Sequence, residues 1–238
     1  MTTDKGYGQF CPVAQAAEVL AERWTPLVVR ELLMGSVRFN DLQRGVPRMS
    51  SSLLSRRLKA LQGAGIVERR TGARGAEYHL TPAGRELYPL LEGMGLWAQR
   101  WLRHRTVDPQ NLDPNLLMWD IRRRVTADAF AGAERFVTEF QFTGATRGPR
   151  LYWLVLDQGA ADLCFKDPGF SVDLFVFATV RTLTEIWLGH LGIDQALRDG
   201  RLRFDGGARE VATFRRCFVL SLFAAAGRAP AGRLALAR

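Results

Sequence analysis

The hydrophobic and polar positions between Arg38 and Leu80 predict a compact series of short elements. An apolar-patterned helix begins near Asn40 and ends where Gly45-Val46-Pro47 interrupts the pattern. A second helix begins after Ser50, whose hydroxyl is a good N-cap. Two short β-like runs complete the order helix, turn, helix, strand, tip, strand, which is typical of a unit that places one helix in a major groove.

The helix after Ser50 is predicted to have one buried face and one exposed face. Its leucines at positions i, i+4 and i+7, Leu54, Leu58 and Leu61, form the buried face. The outward side and its flanks carry small hydroxyls and long cations, which are Ser51, Ser52, Ser55, Arg56 and Lys59. Small hydroxyls allow close approach to DNA, and long cations reach a guanine edge or the backbone, so we predict DNA contact by these five residues. We also expect Arg38 to reach a phosphate.

The two β-like runs, residues 66–70 and 76–80, are joined by a tip at residues 71–75. Arg69, Arg70 and Arg74 would make this hairpin a cationic wing against phosphate or the minor groove. The alternative is a surface hairpin with solvated arginines.

A long helix is predicted to begin at Thr81-Pro82, a capping hydroxyl followed by a proline, and to run to about Leu102. One side of it carries an apolar stripe, formed by Leu87, Leu90, Leu91, Met94, Trp97 and Trp101. We expect the stripe to pair with a second copy, since a two-fold dimer spans two half-sites on DNA. The alternative is packing against the C-terminal half of the same chain.

The pattern changes after a polar segment at residues 106–115, which contains two prolines. We interpret this segment as a linker. Residues 116–238 alternate strand-like and helical runs with turn signals at Gln158-Gly159 and Asp167-Pro168-Gly169. The predicted fold class is therefore multi-domain. A mainly α winged helix-turn-helix domain (1–105) with a small β wing precedes an α+β domain (116–238) with a largely antiparallel sheet.

Net charge supports a polyanionic partner for the first half. The chain of 238 residues has a net charge of +9. Residues 1–105 hold 16 Lys and Arg against 9 Asp and Glu, whereas residues 106–238 hold 17 against 15. The excess thus coincides with the helix-turn-helix pattern and favours double-stranded DNA as partner, although basic composition also serves solubility.

Other chemistry is weakly represented. The three cysteines lack any CxxC spacing, the three histidines are isolated, and no nucleophile or phosphate-loop motif occurs. We therefore expect no metal, no cofactor and no enzymatic activity. No uncharged run approaches a membrane span and no signal sequence is evident, so we expect a cytoplasmic protein without membrane association.

Residues 11–102 resemble the HxlR family of winged helix-turn-helix regulators. The matching segments are CPV, ERWTPLVVREL, RFNDL, SSSLLSRRLKALQGAGIVERR and EYHLTPAGREL. The resemblance implies a MarR-like transcriptional regulator that binds DNA as a dimer built through its N- and C-terminal helices. The wing is short here. Cys11 matches a cysteine that senses oxidants in some members, and a thiol at a helix N-terminus is more reactive; the alternative is a small packed residue.

Residues 116–238 resemble a sterol-carrier-protein-like (SCP-2-like) domain through LYWLVLDQGAADLCFKDPGFSVDLFVFATVRTLTEIWLG and QALRDGRLRFDG. Such domains fold around an apolar tunnel, which implies a hydrophobic small-molecule effector. The candidate pocket residues are Trp119, Phe140, Phe142, Trp153, Phe175, Phe177 and Trp187; filling a core is the alternative. Two rival functions remain open: a lipid carrier that uses the winged domain for dimerisation, and a thiol sensor acting through Cys11.

Overall fold

The computed structural model describes residues 6–73, 75–125, 135–144 and 148–226. The chain divides into two compact units, Met1–Met94 and Gly95–Arg238. This division falls inside one helix, Tyr88–Trp101, and the predicted boundary at residue 105 and linker at 106–115 lie C-terminal to it. The end of that helix belongs to the second unit because its buried Gln99 donates from Nε2 to the carbonyl of Leu188 at 2.6 Å.

The first unit has the predicted helix-turn-helix and wing. Its elements are α1 (Pro12–Leu20), α2 (Thr25–Leu33), α3 (Phe39–Gly45), α4 (Ser51–Gly63), β1 (Val67–Gly72), β2 (Gly75–Leu80), α5 (Pro82–Arg85) and the start of α6 (Tyr88–Trp101). The N-cap at Ser50 is confirmed, since its Oγ accepts the Leu53 N–H at 3.3 Å. The buried face of α4 is also confirmed, and it packs against α2, α3 and the wing strands.

The single long helix predicted from Pro82 to about Leu102 is wrong. The chain forms the four-residue α5, passes through a turn at Glu86 and Leu87, and begins α6 at Tyr88. Pro89 explains the break, since proline lacks an N–H and its ring clashes with the preceding turn inside a helix. A new start at Tyr88 puts Pro89 in a first turn, where proline is tolerated.

The second unit joins helices to a five-stranded sheet. Its further elements are α7 (Arg103–Thr106), a 3-10 helix (Pro109–Asn111), α8 (Pro114–Arg124), β3 (Phe136–Phe142), β4 (Leu151–Asp157), β5 (Ala160–Cys164), β6 (Leu174–Ala178), α9 (Val180–Trp187), α10 (Ile193–Arg198), β7 (Leu202–Asp205) and α11 (Ala208–Cys217). The strand order is β5-β4-β3-β6-β7.

The sheet is mixed and, as predicted, largely antiparallel, since three of the four pairings among its described strands are antiparallel and one is parallel. β3–β4, β4–β5 and β6–β7 are antiparallel, but β3 and β6 are parallel. After the edge strand β5 the chain returns through residues 165–173, here called the crossover segment, and adds β6 on the far side of β3. Because β3–β4 and β4–β5 are both antiparallel, β5 runs in the same direction as β3, and a crossover that keeps this direction makes β6 parallel to β3.

Alternation of side chains gives the sheet two different faces. On the helix-covered face, Phe140, Tyr152 and Leu174 join the main core with α8, α9 and α11. The opposite face, here called the crossover face, includes Val137, Glu139, Gln141, Leu151, Trp153, Val155, Phe175, Phe177 and Arg203. Val172 of the crossover segment packs on the small cluster of Val137, Trp153 and Val155 on this face.

Candidate nucleic-acid interface

The five residues of α4 that were predicted to contact DNA are all exposed. Leu54, Leu58 and Leu61 are 0, 1 and 2% exposed and hold the helix on the core. The exposed set is Ser51, Ser52, Ser55, Arg56 and Lys59. Because α4 is fixed by its leucines and its Ser50 cap, this outward face is presented on a rigid element.

The cations of α4 are not equivalent. Arg57 forms an ion pair with Glu22 at 2.5 Å and is the less exposed partner. Within the part of the chain that the structure describes, Arg56 and Lys59 form no ion pair, and α4 itself contains no acidic residue. Arg56 and Lys59 are therefore available to an external anion, whereas Arg57 is already engaged.

The turn between α3 and α4 is fixed by one side chain. Gln43 donates from Nε2 to the carbonyl of Met49 at 2.6 Å, and a weaker contact at 3.3 Å reaches the carbonyl of Val46. Val46 and Met49 are buried, so the turn is held by apolar packing as well. The hydrogen bonds of Gln43 and the packing of Val46 and Met49 together fix the position at which the chain enters α4.

A buried acidic residue, Glu31 of α2, supports the end of α3, and sequence reasoning missed it. Its side chain is fully buried. Arg30 Nη2 lies 2.5 Å from its Oε1, and Ser36 Oγ donates to its Oε2 at 3.4 Å. A Cβ placed on Gly45 would lie 1.8 Å from Oε2, so the glycine is required for this close approach. The sequence does contain a signal for this role, because Glu31 is a charged residue among the apolar positions of α2.

The wing arginines differ in their surroundings. Arg69 lies opposite Tyr78 and is exposed, whereas Arg70 lies opposite Glu77 and pairs with Glu68. Neighbouring carboxylates partly neutralise Arg70, so Arg69 is the stronger candidate for a phosphate. Arg74 lies outside the described residues.

Arg38 lies at the base of the wing. It is half-buried, is the N-cap residue of α3, and its backbone bridges to Glu77 of β2. The adjacent Val37 carbonyl accepts the Tyr78 N–H at 2.8 Å. The position of Arg38 is thus fixed by the sheet and by α3 together.

Comparison with known proteins identifies the first unit. The family model "HxlR-like helix-turn-helix" matches residues 19–106. The chain is 38% identical over 110 residues to the uncharacterised HTH-type transcriptional regulator YvaP of Bacillus subtilis, covering 44% of this chain and 96% of YvaP. The chain belongs to the HxlR family. It is a transcriptional regulator of the HxlR or MarR type with a winged helix-turn-helix domain.

Other known proteins are also similar to this HxlR protein. It is 33% identical over 104 residues to the uncharacterised HTH-type regulator sll1512 of Synechocystis, covering 42% of this chain and 77% of sll1512. The solved reduced form of the transcriptional regulator YodB from B. subtilis is 32% identical, covers 38% of this chain and 93% of YodB, and has a TM-score of 0.34. The family match ends at residue 106, so the SCP-2-like identity of residues 116–238 stays a prediction.

Five of the six residues of the apolar stripe predicted on the long helix fall into two sets in this HxlR protein, and the sixth, Trp101, is half-buried. Leu87 and Leu91 pack on the core of the first unit. Leu90, Met94 and Trp97 are 54, 56 and 47% exposed on α6 and are here called the α6 stripe. In α1 no residue is buried, and its Val13 is 75% exposed. Large exposed apolar side chains at helical spacing are typical of an interaction surface.

The seven aromatic residues predicted to line one pocket do not share one space. Phe140 and Phe142 lie on the helix-covered face, as does Trp187 of α9 in the same core. Trp153, Phe175 and Phe177 lie on the crossover face, and Trp119 of α8 stacks under the guanidinium of Arg122 at 4.5 Å. The sheet separates the two sets, and whether either set binds a ligand stays a prediction.

The three cysteines differ in exposure and surroundings. Cys11 is partly exposed and is the N-cap residue of α1, which leaves its predicted sensing role open. Burial raises the pKa values of the Cys164 and Cys217 thiols, which disfavours the reactive thiolate there.

Over the described ranges, no group of three His, Cys, Asp or Glu side chains could hold a metal ion. None of the helices described is long and apolar enough to span a bilayer.

Proposed function

We propose that this HxlR protein is a cytoplasmic, homodimeric regulator that binds a specific DNA sequence through the outward face of α4. The observation that carries the proposal is that this face is exposed, free of acidic residues and rigidly mounted on Leu54, Leu58 and Leu61. A basic, hydroxyl-bearing helix of this kind suits the major groove, where arginine and lysine pair with guanine and short hydroxyls allow close approach.

The residues have different proposed roles. Arg56 and Lys59 read base edges or hold the backbone, while Ser51, Ser52 and Ser55 contact phosphates or base edges near the start of α4. Arg38 and the wing residues Arg69, Arg70 and Arg74 contact phosphate or the minor groove. Of these, Arg69 is favoured over Arg70 because Glu68 already pairs with Arg70.

The α6 stripe and the exposed residues of α1 support a homodimer. Leaving three large apolar side chains in water is unfavourable, and a second copy would cover them by two-fold symmetry. A two-fold dimer presents two copies of α4 to half-sites about one DNA turn apart.

The test is binding of the full chain to the duplex upstream of its own gene, followed by fluorescence anisotropy at several salt concentrations. We expect tighter binding to this duplex than to a shuffled duplex of the same composition, with affinity falling as salt rises. Equal, weak binding to both duplexes would refute the regulator and favour the rival carrier function.

Two finer regulatory roles belong to the same proposal. A hydrophobic effector bound in the second unit would shift DNA affinity only if it prefers one of two states of the dimer. Oxidation of Cys11 is the alternative input, supported by its partial exposure at the start of α1. Replacing it, Cys11→Ser, would abolish an oxidant response while leaving DNA affinity intact; a response that survives the change contradicts this role.

A further inference from the structure

One side chain of α3, Gln43, spans the turn between the two helices of the helix-turn-helix. It lies in the last turn of α3, which ends at Gly45. Its Nε2 donates to the carbonyl of Met49 at 2.6 Å, six residues along the chain, and lies 3.3 Å from the carbonyl of Val46. These two contacts are here called the Gln43 bridge. Met49 directly precedes Ser50, the N-cap of α4, so the bridge holds the peptide group at which α4 begins.

Two kinds of contact hold α4, and they restrain the helix differently. The buried side chains of Leu54, Leu58 and Leu61 fix which face of the helix turns toward the core. Apolar burial is non-directional, so it restrains a small rotation or slide of the helix only weakly. A hydrogen bond weakens steeply as its angle departs from linear. The Gln43 bridge therefore fixes the direction in which the chain enters α4.

The Gln43 bridge contributes little net stability. The amide oxygen Oε1 of Gln43 is buried, and within the part of the chain that the structure describes no hydrogen bond reaches it. A buried acceptor without a partner opposes folding by about as much as one or two ordinary hydrogen bonds favour it. The Val46 carbonyl also accepts the Met49 N–H at 2.9 Å, so the turn keeps a backbone hydrogen bond without Gln43. An apolar side chain of the same length should therefore keep the unit folded.

The exposed face of α4 begins next to the bridge. Ser51 and Ser52 follow Met49 by two and three residues. Arg56 and Lys59 lie about one and two helical turns beyond Ser52. Base edges are read through hydrogen bonds of defined geometry, which require placement within about 0.5 Å, whereas contacts to phosphate carry no sequence information. A small rotation at the start of α4 would thus remove base contacts before it removes phosphate contacts.

We infer that Gln43 is a positioning residue for DNA reading. Its amide fixes the entry of α4 and thereby sets the ratio of specific to non-specific affinity, without touching DNA and with little effect on stability. The inference rests on the proposed function, because it concerns the same face of α4. It goes beyond the cations and hydroxyls of that face, since it assigns part of the sequence preference to a side chain in the turn behind them.

The test is fluorescence anisotropy of the full chain and of Gln43→Met on the duplex upstream of its own gene and on a shuffled duplex. Methionine keeps the length of the side chain but cannot donate a hydrogen bond. The affinity for the upstream duplex should fall about tenfold, which is the scale of one lost base contact. The affinity for the shuffled duplex should stay at the parental value, and the Tm should stay within about 3 °C of the parent.

Thr81→Val is the matched control, because Thr81 also binds backbone groups of the first unit but lies at the start of α5. Its Oγ1 donates to the carbonyl of Gly65 at 2.7 Å and accepts the Gly84 N–H at 3.1 Å. Loss of this cap should lower the Tm by about 5 °C and leave the affinity ratio at the parental value. One variant should therefore lose sequence preference without stability, and the other should lose stability without sequence preference.

Amide hydrogen exchange tests the positioning role without DNA. The Met49 N–H bonds to the carbonyl of Val46, and the Leu53 N–H bonds to Ser50 Oγ. Both amides should exchange about tenfold faster in Gln43→Met, because local opening of the turn becomes easier. Amides in the middle of α2, such as that of Val29, should exchange as in the parent.

Gln43→Asn is a second variant, which tests the bridge even if Gln43→Met unfolds. It keeps the amide but withdraws it by one methylene from the two carbonyls, and it should also lower the affinity ratio. A parental ratio in either folded variant would overturn the inference, as would an equal loss of affinity for both duplexes or unchanged exchange at Met49 and Leu53. Equal binding of both duplexes by the parent would instead refute the regulator, and the role of Gln43 in DNA reading with it.

Discussion

Gly45→Ala is expected to destabilise the first unit because Gly45 lies against the buried carboxyl group of Glu31. The added Cβ would lie 1.8 Å from Glu31 Oε2 and 1.9 Å from its Cδ. No flexible end of a side chain can yield here without cost, since Glu31 is fully buried and bonded to Arg30 and Ser36.

The magnitude follows from the contacts that would break. Separating a buried ion pair costs about 3–5 kcal/mol, and the partial exposure of Arg30 puts this pair at or below the lower end. Alanine is favoured over glycine in a helix by up to about 1 kcal/mol, which offsets part of the loss. The net destabilisation is roughly 2–4 kcal/mol, which lowers the Tm of a unit of this size by on the order of 10–30 °C.

Gly63→Ala is a matched control, since Gly63 is also the last residue of a helix but has no atom within 4 Å of its added Cβ. Thermal and urea unfolding followed by circular dichroism would compare the two variants. The explanation is refuted if Gly45→Ala and Gly63→Ala have the same melting temperature. In a Glu31→Ala background the clash is gone, so the Gly45→Ala change should cost much less than in the parent.

Three further predictions concern the dimer, a histidine and the wing. Leu90→Glu should convert the proposed dimer to a monomer in sedimentation velocity, because it places a charge in the α6 stripe; an unchanged dimer would show that the stripe is not the interface. Burial, and then Arg103, lower the pKa of His190 to about 4. The unfolded chain therefore binds more protons below its ordinary pKa, and stability should fall by on the order of 1 kcal/mol as pH drops from about 6.5 to 4, after allowance for partial solvent screening. His190→Asn should flatten that dependence in urea titrations, and a parental slope would contradict the assignment. Arg69→Ala should weaken DNA binding more than Arg70→Ala does, and the opposite ranking in an anisotropy titration would reverse the proposed wing roles.

Local patterns predicted the helix-turn-helix correctly. The spacing of three leucines and the hydroxyl of Ser50 depend on contacts within one or two turns, so α4 and its exposed face were readable from the sequence. Pro89 is also a local signal. A proline inside the predicted long helix requires a break before it, and the structure has that break. These features need no knowledge of distant segments.

Contacts between distant segments explain what the sequence could not predict. Arg56 and Arg57 are adjacent residues of the same type, and what distinguishes them is the ion pair of Arg57 with Glu22. The aromatic residues of the second unit were assigned to one pocket because nothing local shows that β6 is added beside β3. Strand register then decides that Phe140 and Phe175 lie on opposite faces of the sheet.

The central claim, that the outward face of α4 binds specific DNA, is tested most directly by comparing Arg56→Ala with Arg57→Ala on the upstream duplex. The two variants lose the same charge from the same helix, but Arg57 is held by Glu22 whereas Arg56 is exposed. Arg56→Ala should weaken specific binding by about 1–3 kcal/mol, roughly 5- to 150-fold, while Arg57→Ala stays near the parent. Parental affinity in Arg56→Ala, or equal losses in both variants, would contradict the claim.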